Sequence, residues 1–299
     1  MRFTFLTWNI NARTMTQKPH LLHAYIPFLR SPFSRRMPPS FVDIIALQEV
    51  KPALYNFLKG SSADGKKNFA HHYFSLEEAG VKRDRGVVIL VSNKFKVMNH
   101  GVLNFPEDIE CGEKFEASTC VLNLWSKETG DFTVASFHIP NGSQYGKGND
   151  RRGRQKGEFK RRFGDRVGMW IAEQKKPVIF GVDANSPRLD HLDPNKVSLF
   201  DSDSRRMFGP ARLHQARDAY RDYRALHPDE PWAFTHKGYR SKPVRFDQIW
   251  VTNEVKIGRV RTGVMQICPS FNPGKLWLLD ETGTEAISDH AWVAAELSI

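Results

Sequence analysis

Cysteine is scarce in this chain, which has only Cys111, Cys120 and Cys268 among its 299 residues. An odd count without a Cys-x-x-Cys pair indicates neither a disulfide framework nor a zinc site. Proteins without disulfides are typical of reducing compartments. We therefore expect a cytoplasmic protein.

Long apolar runs are also missing, since no stretch approaches the roughly 18 apolar residues that span a bilayer. The first residues lead directly into a strand-like run, and no basic and apolar leader precedes it. The sequence has no internal repeat, which argues against repeat architectures. We expect neither membrane insertion nor a secretory signal.

Basic residues are in excess: 44 Lys and Arg against 33 Asp and Glu give a net charge of +11. Such a field attracts polyanions, nucleic acid first and anionic membrane second, with a merely soluble basic surface as the alternative. Clustering favours nucleic acid, because residues 147–166 hold nine Lys and Arg against three acidic residues. The expected phosphate contacts are Arg151, Arg152, Arg154 and Lys156. A solvated helix face is the alternative for the rest of this segment.

Eight runs rich in Val, Ile, Phe and Trp predict β-strands: residues 2–10, 42–49, 86–92, 119–125, 132–138, 177–183, 244–252 and 291–297. Apolar residues at helical spacing predict helices over residues 158–174 and 211–226. Residues 127–131 are typical of a hairpin tip. Mixed strands and helices without a strict βαβ rhythm favour an α+β fold or two packed sheets over a doubly wound parallel sheet.

Three segments show little regular pattern: residues 14–40, 140–157 and 186–210. Each follows a motif residue, so we expect loops around a site, since long loops in compact domains are usually functional or disordered. The motifs extend from residue 7 to residue 290, and one site would need nearly the whole chain. We therefore expect one domain over residues 1–299 and a monomer, with no protein partner that can be inferred.

Polar side chains lie at the ends of five apolar runs, and the first two suit a hard cation. Asn9 and Asn11 end the first run, and Glu49 ends the second. Mg²⁺ binds oxygen ligands and keeps several waters. Glu49 offers a charged oxygen, and the two amides add neutral contacts. Turn hydrogen bonds and a surface Glu are the alternative for each fragment alone.

Asp183 and Asn185 follow a near-continuous apolar run, in which Gly181 permits a close backbone approach. Asp-x-Asn would place both side chains on one face if the strand continued. The carboxylate can orient or deprotonate a water, while the amide holds a phosphate oxygen. An Asx turn that ends the strand is the alternative.

Two histidines follow apolar runs in the same way. His138 ends one run, and Asn141 follows it closely. His138 can donate a proton or bind phosphate, and Asn141 can bind phosphate. A histidine buried in the core is the alternative for His138. Asp289 and His290 precede the last run. A catalytic His needs a partner that fixes its tautomer. Adjacent strand residues point in opposite directions, so Asp289 cannot simply hold His290.

An aromatic group precedes and enters the Arg-x-Asp sequence at residues 245–247. Unpaired bases could stack on these rings, although core packing is the alternative for most of them. The group consists of Trp232, Phe234, His236, Tyr239 and Phe246.

The order Trp8-Asn9, Gln48-Glu49, Asp183-Ala184-Asn185, Arg245-Phe246-Asp247 and Ser288-Asp289-His290 resembles the endonuclease/exonuclease/phosphatase superfamily. This superfamily includes deoxyribonucleases, apurinic endonucleases, tyrosyl-DNA phosphodiesterases, deadenylases and inositol-polyphosphate phosphatases. The resemblance implies a four-layer α/β/β/α sandwich in which two mixed sheets pack face to face with helices outside.

The resemblance also implies roles for the site residues. Glu49 is the main ligand of Mg²⁺ or Mn²⁺, with Asn11 and Asp289 near the cation. Asp247 is the partner of His290, and His290 contacts the scissile phosphate. Asp183 activates the attacking water, while Asn9, His138 and Asn185 stabilise charge on the phosphate.

The function implied is metal-dependent hydrolysis of phosphodiester bonds in nucleic acid, with DNA favoured over RNA by the basic charge. A phosphatase or phosphodiesterase acting on an inositol phosphate or another small phosphorylated molecule is the alternative. A non-catalytic nucleic-acid-binding module is a third possibility, which the intact acidic set argues against.

Overall fold

The fold is built mainly from β-strands. The computed structural model describes residues 1–10, 42–60, 69–105, 115–139, 151–185, 205–209, 212–230, 232–237, 244–267, 276–279 and 286–299. The strands are β1 Arg2–Asn9, β2 Ile44–Val50, β3 His71–Phe74, β4 Gly86–Val91, β5 Lys96–Gly101, β6 Thr119–Ser126, β7 Gly130–His138, β8 Val178–Asp183, β9 Arg217–Asp218, β10 Asp247–Val251, β11 Lys256–Thr262, β12 Met265–Ile267, β13 Leu276–Leu279, β14 Ala286–Ser288 and β15 Val293–Ser298. The helices are α1 Pro52–Gly60, α2 Ser75–Ala79, α3 Arg151–Glu173, α4 Arg205–Phe208 and α5 Ala219–Leu226.

Two mixed six-stranded sheets organise these strands. The first has the order β11-β15-β1-β2-β4-β3, and the second has the order β5-β6-β7-β8-β10-β9. In each sheet the two central strands run parallel, β1 with β2 and β7 with β8, and their other neighbours are antiparallel. A small third sheet contains β12, β13 and β14. The predicted α+β sandwich of two mixed sheets is confirmed.

Side-chain alternation along the strands explains the layers. In β1, Phe3 and Phe5 face a core between the two sheets, while Leu6 and Trp8 face a second core that includes residues of α1. A third core lies between the second sheet and α3, which contributes residues such as Phe163. Because successive strand residues point to opposite faces, a strand buried on both sides needs apolar residues at nearly every position.

Several predicted boundaries are wrong. The helix predicted over residues 211–226 begins only at Ala219, because Asp218 caps it by accepting hydrogen bonds from the backbone N–H groups of Tyr220 and Arg221. Residues 151–157, predicted as loop, form the start of α3. Within the predicted loop 186–210, residues 205–208 are helical. The strand predicted over residues 244–252 covers only Asp247–Val251.

Other strand boundaries shift by one or two residues. The strands predicted over residues 42–49 and 291–297 are Ile44–Val50 and Val293–Ser298. The hairpin tip between β6 and β7 is confirmed, with Gly130 in the left-handed region at φ 66°. Within the described part of the chain, no helix is long and apolar enough to cross a bilayer. Cys120 is a buried free thiol, and Cys111 and Cys268 lie outside the described residues.

Candidate active site

The polar residues predicted from the strand ends converge at one edge of the two sheets. Asn9 and Glu49 lie at the carboxyl ends of the parallel strands β1 and β2, and His138 and Asp183 end the parallel strands β7 and β8. Asp247 begins β10, which runs antiparallel to β8 and pairs Asp247 with Asp183. The start of an antiparallel strand lies at the same edge as the end of its neighbour, so topology alone brings these residues together.

Except at Glu49, where the pairing of β2 with β4 is irregular, alternation directs these side chains into the space between the sheets. Asn9 lies on the same face of β1 as Phe3 and Phe5, and Asp183 lies on the same face of β8 as Ile179. The apolar core between the sheets therefore ends in a layer of polar side chains at this edge. That arrangement places apolar side chains of both sheets behind the polar layer.

A buried polar contact layer lies directly beneath the site. The Nε2 of Gln48 donates hydrogen bonds to Oγ1 of Thr7 and Oγ of Ser136, both at 3.0 Å, and so links the two sheets. Gly181 faces this layer, where a Cβ would lie 2.5 Å from Oγ1 of Thr7 and 3.1 Å from Cβ of Ala46. The sheets approach so closely here that only glycine fits.

Asp183 is held by amide groups. The side-chain amide of Asn9 donates to Oδ2 of Asp183 at 2.7 Å, and the side-chain amide of Asn185 donates to the same oxygen at 3.2 Å. The backbone N–H of Asn185 donates to Oδ1 at 3.0 Å. These three donors orient the carboxylate, which is 1% exposed.

Asn185 reaches Asp183 through a turn and not through a continued strand. Strand β8 ends at Asp183, and Asn185 adopts a left-handed backbone with φ 43°. This conformation is uncommon outside glycine, although Asn tolerates it better than most residues. The amide of Asn185 also donates to the backbone oxygen of Ile139 at 2.8 Å, and the buried ammonium of Lys160 donates to the backbone oxygen of Asn185 at 3.2 Å. These contacts fix the turn.

Glu49 is the second residue with a left-handed backbone, at φ 55°, and it lies where the pairing of β2 with β4 is irregular. Its Oε1 lies 3.5 Å from both the amide nitrogen of Asn9 and Nε2 of His138. Its Oε2 accepts a hydrogen bond of 2.6 Å from Nη1 of Arg85. Non-glycine residues in such conformations concentrate at functional sites.

Glu49, His138 and Asp183 form a group that can hold a metal ion, because one ligand atom from each lies within 4.8 Å of the others. Two carboxylates suit Mg²⁺ or Mn²⁺, and these cations prefer oxygen ligands. Imidazole suits softer divalent ions better. The donor chemistry therefore fits a hard divalent cation on the carboxylates, with His138 beside it.

Asp247 and His290 form a buried pair. Nδ1 of His290 donates to Oδ2 of Asp247 at 2.8 Å, while Oδ1 of Asp247 accepts from the backbone N–H of Asn9 at 3.0 Å. The indole of Trp8 donates to the backbone oxygen of His290 at 3.0 Å, and Ser288 accepts from the backbone N–H of His290 at 3.0 Å. Among the residues that the structure describes, Nε2 of His290 has no hydrogen-bond partner and is the ring nitrogen available to a substrate.

Electrostatics keep this imidazole charged. Burial lowers the pKa of His290, but Asp247, Asp183 and Asp289 oppose it, and together they raise the pKa to about 10. Burial raises the pKa of Asp247, while the charge and hydrogen bond of His290 lower it. The raised pKa favours the imidazolium form, which can donate a hydrogen bond from Nε2 to a phosphate oxygen.

The structure describes the remaining predicted site residues only in part. Asp289 is buried beside His290, but it does not belong to the three-residue group of Glu49, His138 and Asp183. Asn11 and Asn141 lie outside the described residues. The four basic residues predicted to contact phosphate lie in the first turns of α3, where the backbone alone is described: Arg151, Arg152, Arg154 and Lys156.

The aromatic group divides into several environments. Phe246 and His236 lie beside the imidazole of His290, with ring centroids 5.9 and 4.9 Å from it. Phe234 packs against the core that includes α1, whereas Trp232 is 55% exposed. Tyr239 lies outside the described residues.

The sequence analysis missed two basic side chains at the site, those of Arg85 and Lys160. Arg85 directly precedes β4, and β4 runs antiparallel to β2, so its amino end lies beside Glu49. A basic residue immediately before an apolar run was the available signal. Lys160 lies on the buried face of α3 and is 3% exposed. Because charged residues surround it in the sequence, no local pattern indicated that it is buried.

Comparison with known proteins identifies the family. A model of the Endonuclease/Exonuclease/phosphatase family matches residues 6–290. The chain belongs to this family. Its members hydrolyse phosphoester bonds and generally use a divalent cation, and the predicted superfamily is confirmed. A comparison with curated proteins gives no match.

Solved structures of this family share the fold at low sequence identity. The structure of D. rerio TDP2 complexed with single strand DNA product has a TM-score of 0.62 and 14% identity, covering 100% of this chain and 99% of that one. The mannosyl-6-phosphatase of Bacteroides thetaiotaomicron has a TM-score of 0.58 and 15% identity, covering 99% and 100%. Truncated Caenorhabditis elegans TDP2 has a TM-score of 0.57 and 17% identity, covering 100% and 98%. At these identities the likeness concerns the fold alone.

Proposed function

We propose that this chain is a divalent-metal-dependent phosphodiesterase that hydrolyses nucleic acid, with DNA favoured over RNA. The observation that carries the proposal is the convergence of Glu49, Asp183 and the Asp247–His290 pair at one sheet edge. The whole chain would form one catalytic domain, and a structurally similar protein, D. rerio TDP2, was solved with single strand DNA product.

The chemistry divides among four kinds of group. Asp183, oriented by three amide donors, positions and deprotonates the attacking water. The imidazolium of His290 donates a hydrogen bond to a phosphate oxygen as charge develops there. His138 adds a donor, and the amides of Asn9 and Asn185, which hold Asp183 in the structure, would add donors by turning toward the phosphate. Glu49 would hold Mg²⁺ or Mn²⁺, with Asn11 and Asp289 as further candidates, and the bound cation would stabilise charge on the phosphate and the leaving oxygen.

The test of this function compares cleavage of supercoiled plasmid, single-stranded DNA and RNA in Mg²⁺, Mn²⁺ or EDTA. We expect metal-dependent cleavage by the wild type and a loss of at least about 100-fold in Asp183→Asn, because an amide cannot accept a proton from water. Asp131→Asn serves as the matched control, since Asp131 is an exposed carboxylate that pairs with Lys176. Retained activity in Asp183→Asn would remove Asp183 from the mechanism.

A phosphatase or phosphodiesterase acting on a small phosphorylated molecule is the second candidate, supported by the shared fold of the mannosyl-6-phosphatase. Salt dependence separates the two. A polymer contacted at several phosphates loses affinity steeply as salt rises, with a slope close to one for each phosphate contact, whereas a small ligand loses little. We expect DNA binding to weaken at least about 100-fold between about 50 and 200 mM salt. A shallow slope, or no cleavage of any polymer by folded protein, would favour the small-molecule substrate, including inositol phosphates.

A further inference from the structure

One basic side chain at the edge of the site, that of Arg85, has no part in the reaction described above. Arg85 donates from Nη1 to Oε2 of Glu49 at 2.6 Å and from Nε to Oδ2 of Asp84 at 3.1 Å. Glu49 directs its other oxygen, Oε1, toward Asn9 and His138, each at 3.5 Å. The guanidinium therefore occupies one oxygen of the same carboxylate whose second oxygen faces the site.

Arg85 and a divalent cation would share this carboxylate. The ligand atoms of Glu49, His138 and Asp183 lie within 4.8 Å of one another, so a cation bound among them would contact Glu49 while the guanidinium holds its other oxygen. Two cationic groups on one carboxylate repel each other. A phosphate relieves the repulsion, because a planar guanidinium and a divalent cation can each bind phosphate oxygens.

The position of Arg85 allows this exchange of partners. Its side chain is 31% exposed, and that of Asp84 is 66% exposed, so the guanidinium can turn toward an anion without unpacking the core. The backbone of Arg85 is fixed by the start of β4, where Gly86 pairs with Val50 directly after Glu49. The residue is thus anchored at its Cα and accessible at its charged end.

We propose that Arg85 couples the binding of the divalent cation to the binding of the substrate phosphate. Without phosphate, the guanidinium stays on Glu49 and weakens cation binding. With phosphate, it moves to a phosphate oxygen and leaves Glu49 to the cation. The coupling is reciprocal, so phosphate raises the affinity for the cation by the same factor by which the cation raises the affinity for phosphate. The inference rests on the proposed function, because it requires a cation on Glu49.

The experiment measures Mn²⁺ binding to the full chain by electron paramagnetic resonance, with and without dTMP as the phosphate probe. The variants are Arg85→Met, which keeps the aliphatic stem without the charge, and Arg85→Gln, which can still hydrogen-bond to Asp84. Arg83→Met is the matched control, because Arg83 is exposed and the substitution removes the same charge from the same loop. Circular dichroism checks that each variant is folded.

Without dTMP, we expect both Arg85 variants to bind Mn²⁺ about tenfold more tightly than the wild type, and Arg83→Met to stay within about twofold. We expect dTMP to raise the Mn²⁺ affinity in both proteins, but the factor in the wild type should be at least about five times the factor in Arg85→Met. Unchanged or weaker Mn²⁺ binding by the Arg85 variants, or equal effects of dTMP, would overturn the inference and leave Arg85 as an anchor of Glu49. Absence of Mn²⁺ binding by the wild type under both conditions would instead overturn the cation of the proposed function.

Discussion

At the scale of single residues, the Asp247–His290 pair determines which proton the site can offer. The two side chains meet at 2.8 Å inside the protein, and Asp247 is additionally held by the backbone N–H of Asn9. Because the pKa of His290 is raised to about 10, the imidazole is charged over the whole neutral range. In the proposed function His290 would therefore donate a hydrogen bond to phosphate and would not act as a base at neutral pH.

Replacing Asp247 by Asn keeps the shape of the side chain and removes its charge. We expect the pKa of His290 to fall well below about 10, because burial still lowers it and its nearest opposing charge is gone. Turnover should fall at least about 100-fold, since the imidazole would lose its charge and its fixed orientation. Imidazole resonances followed by NMR across pH, compared between the wild type and the variant, give the measurement. Titration of His290 near pH 10 in the variant would contradict the assignment of Asp247 as its partner.

At the scale of elements, the close contact of β1 with β8 below the site leaves no room for a larger side chain. A Cβ at Gly181 would lie 2.5 Å from Oγ1 and 2.6 Å from Cβ of Thr7. We expect Gly181→Ala to lower the free energy of unfolding by about 1–3 kcal/mol, because the two sheets must separate locally. Urea denaturation measures the change.

Gly101 supplies the matched control for this substitution. It lies at the end of β5, and a Cβ there would meet no atom within 4 Å. Gly101→Ala should change the free energy of unfolding by no more than about 0.5 kcal/mol. Equal destabilisation at the two positions would show that the contact with Thr7 is not the cause of the change.

The sequence predicted the buried elements better than the exposed ones. Strands β4 and β8 are buried at every residue, so an apolar run alone marks them. Strands β5 and β11 are mostly exposed edge strands, and they form because their backbones pair with β6 and β15. No apolar pattern marks such strands, and both were missed.

The site was predictable to the extent that each residue ends or begins an apolar run. Asp183 and His138 could be found in this way because the strand delivers the side chain. Contacts between distant segments left no local pattern, as the bond of Arg85 to Glu49 shows. The turn at Asn185 was predicted only as the alternative to a continued strand, because the contacts to Ile139 and Lys160 that fix it come from other elements.

At the scale of the whole molecule, stability in acid depends on a histidine that takes no part in the site. His214 is 2% exposed and packs edge-on against Phe180 and Trp250. Its Nε2 donates to the backbone oxygen of Met207 at 2.8 Å, and its Nδ1 accepts from the backbone N–H of Ala216 at 3.1 Å. Both ring nitrogens are thus used by the neutral form. Burial lowers the pKa of His214 to about 4.

This pKa predicts a loss of stability on acidification. Because the usual pKa of His is about 6.5, the unfolded chain binds more protons than the folded chain between pH about 6.5 and 4, so stability rises with pH in that range. The contribution of His214 is complete above pH about 6.5 and falls by about 3 kcal/mol as the pH drops to about 4. His214→Asn removes this titration. We expect urea denaturation to show a stability difference between the wild type and His214→Asn that is largest at neutral pH and shrinks steadily toward pH 4. Parallel stability curves for the two proteins would mean that His214 is protonated equally in the folded and unfolded chains.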